Sequence, residues 1–212
     1  MEARLTNLPA RELIERLATS DPIPGGGSAS ALAGAMGAAL VHMVVALTAG
    51  RPAGAGNEEV LDEIGTEAVA AQSDLLRLAE LDAVAYDAVV QARRLPKETN
   101  LERQSRETQV HQATREATMA PLETVRRAAD VLDLAERLAP IGNRNAVSDV
   151  GVGALLAVTA MRGAALNVRI NLPYLADDDP LRDDAAAQLH ALLDELDQRE
   201  RDVRAAVEGR LG

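Results

Sequence analysis

The sequence predicts an all-α protein, one bundle of five or six helices around a buried central helix rich in alanine and glycine. Three observations carry that expectation. Alanine, the best helix former, is very abundant among the 212 residues, and charged residues make up 26% of them. Apolar positions recur at spacings of three and four over long stretches, with no strand-like alternation. From Ile23 to Gly50 the chain carries no formal charge, and Ala29 to Ala49 is nearly all apolar. A helix apolar all round belongs inside a protein. The same run is long enough to cross a bilayer. It is built of Ala and Gly rather than Leu, Ile and Phe, however, contains His42, and has no aromatic belt at its flanks. The N-terminus, MEARLTNLPARE, is charged and polar where a signal peptide would have a basic start and an early apolar run. The expectation is a core helix in a cytoplasmic protein with no membrane partner.

Taken in order, Pro9 opens a short first helix to about Ala18. Asp21-Pro-Ile-Pro-Gly-Gly-Gly-Ser28 is a cluster of breakers and reads as loop, with Ser28 as N-cap of the apolar second helix. Within that helix Ala29, Ala33 and Gly37 place small residues every four positions, so a neighbouring backbone can come close. Arg51-Pro-Ala-Gly-Ala-Gly56 ends it and Asn57 caps a third helix. There Leu61, Ile64, Ala68, Ala71, Leu75 and Leu78 lead on to Ala85, Val89 and Ala92 in one stripe; position 82 belongs to that stripe and is Asp. After the break Leu95-Pro-Lys-Glu-Thr99, a fourth helix runs from about Asn100 to Leu138, kinked or interrupted at Pro121. A fifth runs from about Ala146 to Leu172. Pro173 to Asp179 is a turn, and an amphipathic last helix starts at Pro180 and carries Leu181, Ala185, Leu189, Leu196, Val203 and Val207. With no repeat or low-complexity tail, residues 1–212 read as a single helical domain.

Composition narrows the function. A formal net charge of −11 gives no footprint for nucleic acid or anionic lipid. The absence of Cys removes thiolate metal sites and cysteine nucleophiles, and three scattered His make a transition-metal site unexpected. With no Phe or Trp and two Tyr, base-stacking platforms are excluded as well.

What stands out is polar residues in apolar company. A carboxylate in an apolar stripe must pay for ionisation, find a partner, or raise its pKa and hold a proton. Asp82 therefore suits a general acid or base near neutral pH, or else a structural pair with an Arg of a neighbouring helix. In Gly142-Asn-Arg-Asn-Ala-Val-Ser-Asp149, Asn145 and Asp149 share a helix face. With Asn143 they fit the edge of a heterocycle and equally fit helix capping. Asn167 and Asn171 lie on the face of Asp149, but 18 residues of helix span about 27 Å. They serve the other end of a long ligand, meet Asp149 across subunits, or bond neighbouring helices. Gly25, Gly26, Gly27 and Ser28 at a helix start form either an anion cradle or a close-packing loop. Lys97, the one lysine, is a loop cation or merely solvated. His42 reads as a hydrogen-bonded core histidine.

In this order the motifs resemble the cyclodeaminase/cyclohydrolase family, which includes the C-terminal domain of formiminotransferase-cyclodeaminase and stand-alone methenyltetrahydrofolate cyclohydrolases. The residues that carry it are Pro24-Gly-Gly-Gly-Ser28, Asp82-Ala-Val-Ala-Tyr86, Leu95-Pro-Lys-Glu-Thr99, Ala120-Pro-Leu122, Gly142 to Asp149, and Ala165-Leu-Asn-Val-Arg-Ile-Asn171. The resemblance spans residues 10 to 205. It implies an all-helical homodimer acting on one-carbon units of tetrahydrofolate, with no metal or redox cofactor. One reaction opens 5,10-methenyltetrahydrofolate with water to 10-formyltetrahydrofolate. The other closes 5-formiminotetrahydrofolate to the methenyl form and releases ammonia. Both need only proton transfers around a tetrahedral carbon.

On that resemblance Asp82 is the expected acid or base, Asp149 shares the proton work or holds the cation, and Asn143 and Asn145 read the pterin. Gly25 to Ser28 and Lys97 take the glutamyl carboxylates, and Asn167 and Asn171 complete the binding residues. The chain departs from the family at Gly50-Arg-Pro-Ala-Gly-Ala-Gly56, where relatives commonly carry two or three cations and an aromatic residue, and at Tyr86, where they carry Phe. The alternative those lost cations motivate is a catalytically silent helical dimer that binds folate or a related ligand. The stand-alone form leans the expectation toward the cyclohydrolase.

Overall fold

The computed structural model describes residues 4–211. Every regular element in them is helical: α1 Ala10–Leu17, α2 Gly26–Thr48, α3 Glu58–Arg93, α4 Asn100–Leu138, α5 Val147–Asn171, α6 Leu181–Leu193 and α7 Leu196–Leu211, with 3-10 turns between. The six helical segments expected from the sequence are present. The last is broken at Asp194–Glu195, so that α6 lies on α4 while α7 turns to lie along α5 with Val203 and Val207 buried. No Gly or Pro marks that break. It is imposed by the two different surfaces the pieces cover.

Helices α2 to α5 form an antiparallel four-helix bundle in which each packs on the next and α5 closes back on α2. The α2–α5 register is visible in the glycines. A Cβ on Gly26 would meet Asn167, one on Gly163 would meet Ser30, one on Gly34 would meet Ala160, and one on Gly37 would lie 2.8 Å from the Gly153 carbonyl oxygen. Small residues do let the two backbones meet, through Gly37 as expected but otherwise through Gly26, Ser30 and Gly34 rather than Ala29 and Ala33. α3 runs antiparallel along the other side of α2, with Leu75 against Gly34 and Gly65 against Val45.

α2 is therefore a core helix on one side, with Ala31, Ala38, Val41 and Val44 fully buried. It is not buried all round. Met36 and Met43 are exposed and Leu32 is half-buried, on a face that no other described element covers. Two helical stretches, Gly26–Thr48 and Arg144–Tyr174, are long and apolar enough to span a membrane by length and composition, and half or more of each is buried in the bundle.

Two local differences from the sequence expectation have clear causes. Ser28 is not the N-cap of α2. The helix starts inside the glycine run at Gly26 with Gly25 as its cap, and Ser28 is fully buried in the first turn. α4 passes through Pro121 without interruption. Proline has no N–H for the carbonyl four residues back, and that carbonyl, Ala117, accepts a hydrogen bond of 3.0 Å from Asn171 Nδ2 of α5 instead.

α3 and α4 are about 54 and 58 Å long against about 34 Å for α2. Past the level of Gly26, Asp82, Ala117 and Asn171 they continue as a protruding hairpin, held by a small apolar cluster of Val89, Ala92, Ala113 and Ala117. A capping box, Thr99 with Glu102, starts α4 at its tip.

Candidate active site

At the foot of that hairpin the start of α2, the middle of α3 and the end of α5 enclose a cavity of about 220 Å³. It is lined by Gly25 to Gly27, Asp82, Tyr86, Ala117, Asn167 and Asn171 among others. Asp82 lies across the N-terminus of α2. Its Oδ2 would be 2.6 Å from a Cβ on Gly27, so only glycine leaves room for the carboxyl group. The unpaired N–H groups and partial positive charge of a helix start favour a carboxylate there. The sequence expectation of an external anion in the glycine cradle is thus corrected. The chain fills that cradle with its own Asp82.

Ser28 Oγ lies 2.9 Å from the Ala79 carbonyl oxygen and 3.0 Å from Asp82 Oδ2. A hydroxyl has one proton to donate. Ser28 therefore donates to the Asp82 carboxylate or to the Ala79 carbonyl, one at a time. Burial pushes the Asp82 carboxyl above its ordinary pKa, and the hydrogen bonds from the Ser28 side chain and backbone only partly offset it. Ser28 is fully buried. It can orient Asp82 but cannot touch a ligand, contrary to its expected binding role.

The two asparagines of α5 reach the same level. Asn167 Nδ2 donates to Gly163 O of its own helix at 2.9 Å, and Asn171 Nδ2 is committed to Ala117. Each Nδ2 has given one of its two N–H groups, so both side chains keep an oxygen and one N–H to offer the cavity. Tyr86 stands one turn above Asp82, half exposed.

The Gly142–Asp149 cluster is elsewhere. Asn143 donates from its backbone to Thr48 Oγ1 and from Nδ2 to Leu47 O, so it clamps the C-terminal end of α2. Its Oδ1 accepts from the Asn145 N–H, and Arg144 donates to Arg210 O. That end lies the length of α2 from Asp82, and Asp149 is 18 residues, about 27 Å, along α5 from Asn167. Within one chain Asn143, Asn145 and Asp149 do not join Asp82. The departure at Gly50–Gly56 is also at the far end, with Gly50 and Gly56 at positive φ. Lys97 is exposed beyond the end of α3, lining a separate surface hollow with Arg103, Arg106 and His111. His42 has Nδ1 3.3 Å from Gly65 O, so it is hydrogen-bonded as expected, but it is half-buried on the wall of an open hollow rather than in the core. Sequence reasoning passed over the pairing of Arg93 with Tyr174, whose ring centroid lies 5.3 Å below the guanidinium carbon. A contact between the end of one helix and the turn after another has no signature along the chain.

A carboxyl group of raised pKa stands beside two side-chain amides in a cavity of a helical bundle, a set of groups suited to proton transfer. Comparison with known proteins places the chain in a family. Residues 9–191 match the family model described as formiminotransferase-cyclodeaminase, and the chain belongs to that family. It is 40% identical over 182 residues to the methenyltetrahydrofolate cyclohydrolase of Methylorubrum extorquens, covering 86% of this chain and 87% of that one. It is 31% identical over 209 residues to the formimidoyltransferase-cyclodeaminase of Sus scrofa, of whose length the match covers 39%. The crystal structure of formiminotetrahydrofolate cyclodeaminase from Thermotoga maritima superposes with a TM-score of 0.85 at 26% identity, over 97% of this chain and 98% of that one.

Proposed function

We propose that the protein is a tetrahydrofolate one-carbon enzyme, and specifically a methenyltetrahydrofolate cyclohydrolase, with Asp82 as the acid–base group. The observation that carries the reading is the Asp82 carboxyl held over the α2 N-terminus and open to the cavity. Ionised, Asp82 takes a proton from the water that adds to the methenyl carbon. The neutral carbinol then collapses to the formyl group as its C–N5 bond breaks. Asp82 returns its proton to N5, and the carbinol O–H proton leaves to solvent, so the cation plus water gives 10-formyltetrahydrofolate plus one proton. The Asn167 and Asn171 oxygens accept from pterin N–H groups, Gly25 to Gly27 let the ligand lie close to backbone, and Lys97 serves the outer carboxylate of the glutamyl tail. The chemistry is proton transfer throughout and calls for no metal or cofactor.

The choice of cyclohydrolase leans on the 40% identity to a protein of that name. The stand-alone form no longer argues for it, because the Thermotoga cyclodeaminase is matched over nearly its whole length. A cyclodeaminase uses the same group: Asp82 protonates the departing nitrogen and recovers a proton from N10. In this reading residues 1–212 act as one domain in the cytoplasm and pair as a homodimer. The uncovered α2 stripe of Leu32, Met36 and Met43, with Val152 and Leu155 of α5 exposed nearby, supports a second copy there. Asp149, Asn143 and Asn145 enter the reading only through such a dimer. Gly37 lies eleven residues from both Gly26 and Thr48. A two-fold axis near it brings the 149 end of a second copy level with Asp82.

The test is loss of the near-ultraviolet absorbance of 5,10-methenyltetrahydrofolate against the buffer-catalysed rate. Acceleration that disappears in Asp82→Asn supports the cyclohydrolase. Ammonia from 5-formiminotetrahydrofolate instead makes the protein a cyclodeaminase. Silence with both returns it to the ligand-binding alternative.

A further inference from the structure

We propose that Arg93, held over the Tyr174 ring, anchors the α-carboxylate of the substrate's glutamyl tail and so sets the distance between that tail and Asp82; the inference rests on the folate reading above. Four observations converge on it. The positive pole closest to the cavity, the α2 N-terminus, is already occupied by Asp82, so a substrate carboxylate must find its cation elsewhere. Of the other hairpin cations, Arg103 donates to the Lys97 and Glu98 carbonyl oxygens, Arg106 Nε to the Arg93 carbonyl, and Arg115 pairs with Asp179, while Lys97 lines a separate hollow nearer the tip and, among the described residues, Arg94 has no aromatic ring to hold it. Among the described residues the Arg93 side chain has no acidic partner, and the Tyr174 ring is its one noted contact. Cation–π attraction holds the guanidinium over the ring and leaves N–H groups free for the two-pronged bond that a carboxylate accepts.

Position completes the argument. Arg93 is eleven residues, about 16 Å, along α3 from Asp82. Both tyrosines of the chain flank the path between them. Tyr86 lines the cavity beside Asp82, and Tyr174 follows Asn171 by three residues. A rigid aromatic amide laid along that path puts its reacting carbon at one end and its carboxylate at the other.

The experiment compares substrates with and without the glutamate, using whichever folate reaction the wild type accelerates. For the cyclohydrolase the pair is 5,10-methenyltetrahydrofolate and 5,10-methenyltetrahydropteroate. Arg93→Gln is expected to raise KM for the folate about tenfold to a hundredfold at unchanged kcat, and to leave kcat/KM for the pteroate as in the wild type. Tyr174→Leu should give a smaller change in the same direction. An equal loss on both substrates, no change on either, or a wild type indifferent to the glutamate overturns the anchor. A wild type that accelerates neither overturns the folate reading itself, which is a different outcome from any of these.

Discussion

The two ends of the bundle are built from similar residues and put them to opposite uses. At the far end Asn143 spends its backbone N–H, its Nδ2 and its Oδ1 on Thr48, Leu47 and Asn145. At the near end Asp82 sits where burial raises its pKa, its one side-chain partner a buried hydroxyl with a second acceptor in reach. Polar groups that have exhausted their partners hold a fold together. Groups kept short of partners beside a cavity retain chemistry to offer.

The sharpest way to break this contrast is Asp82→Asn. Turnover should fall about 10²- to 10⁴-fold, the usual weight of a positioned acid–base group, while ligand binding measured by calorimetry persists. Stability should move the other way. A carboxyl whose folded pKa is raised binds its proton more tightly in the folded state, so stability declines as pH climbs from the ordinary carboxylate pKa through the raised one. Asn removes that decline. The variant should melt higher than wild type near neutral pH, and the difference should shrink as pH falls toward about 4. In the wild type, kcat/KM for hydrolysis should fall below the raised pKa as the base is lost. A variant that loses activity and stability together would make Asp82 a structural residue like those at the far end.

Gly27→Ala asks the same question without touching the carboxyl. Its Cβ would overlap Asp82, and the short side chain can yield only by leaving the helix start. Activity should fall nearly as far as in Asp82→Asn, with the helical circular dichroism retained. Full activity would mean that the carboxyl works from some other position.

Asn143→Ala tests the far end. It removes the side-chain bonds to Leu47 and Asn145 and should cost about 1–3 kcal/mol in urea unfolding; if a single chain builds the site, kcat and KM stay unchanged at temperatures where the variant is folded. A selective loss of kcat would instead bring the Asn143–Asp149 end into the active site, by way of a second copy.

How much of this was legible beforehand follows from what each feature depends on. The helices and the misfit of Asp82 are written in spacing along the chain, so they could be read directly. That Asp82 meets Gly27 depends on the register between α2 and α3, which no local pattern encodes. Asn143 and Asn145 invited a ligand because a capping amide and a recognition amide have the same donors and acceptors, and only the partner tells them apart. The outward face of α2 differs from the sequence expectation for a related reason: a run of apolar residues states that a helix seeks cover and not how much of it this chain supplies.

Asn171 sits on the border between the two kinds of residue, and its effect should be the smallest and the most instructive. It lines the Asp82 cavity, yet its Nδ2 replaces the N–H that Pro121 withholds from Ala117. Asn171→Ala alone should leave that carbonyl unpaired and cost about 1 kcal/mol. In a Pro121→Ala background residue 121 regains an N–H for Ala117, so the same substitution should cost almost nothing. A coupling near 1 kcal/mol in this double-mutant cycle assigns the amide nitrogen to the fold. Any loss of kcat/KM that survives in the Pro121→Ala background then belongs to what the Asn171 side chain offers the cavity. Equal destabilisation in both backgrounds would sever the link to Pro121 and move Asn171 wholly to the side of Asp82.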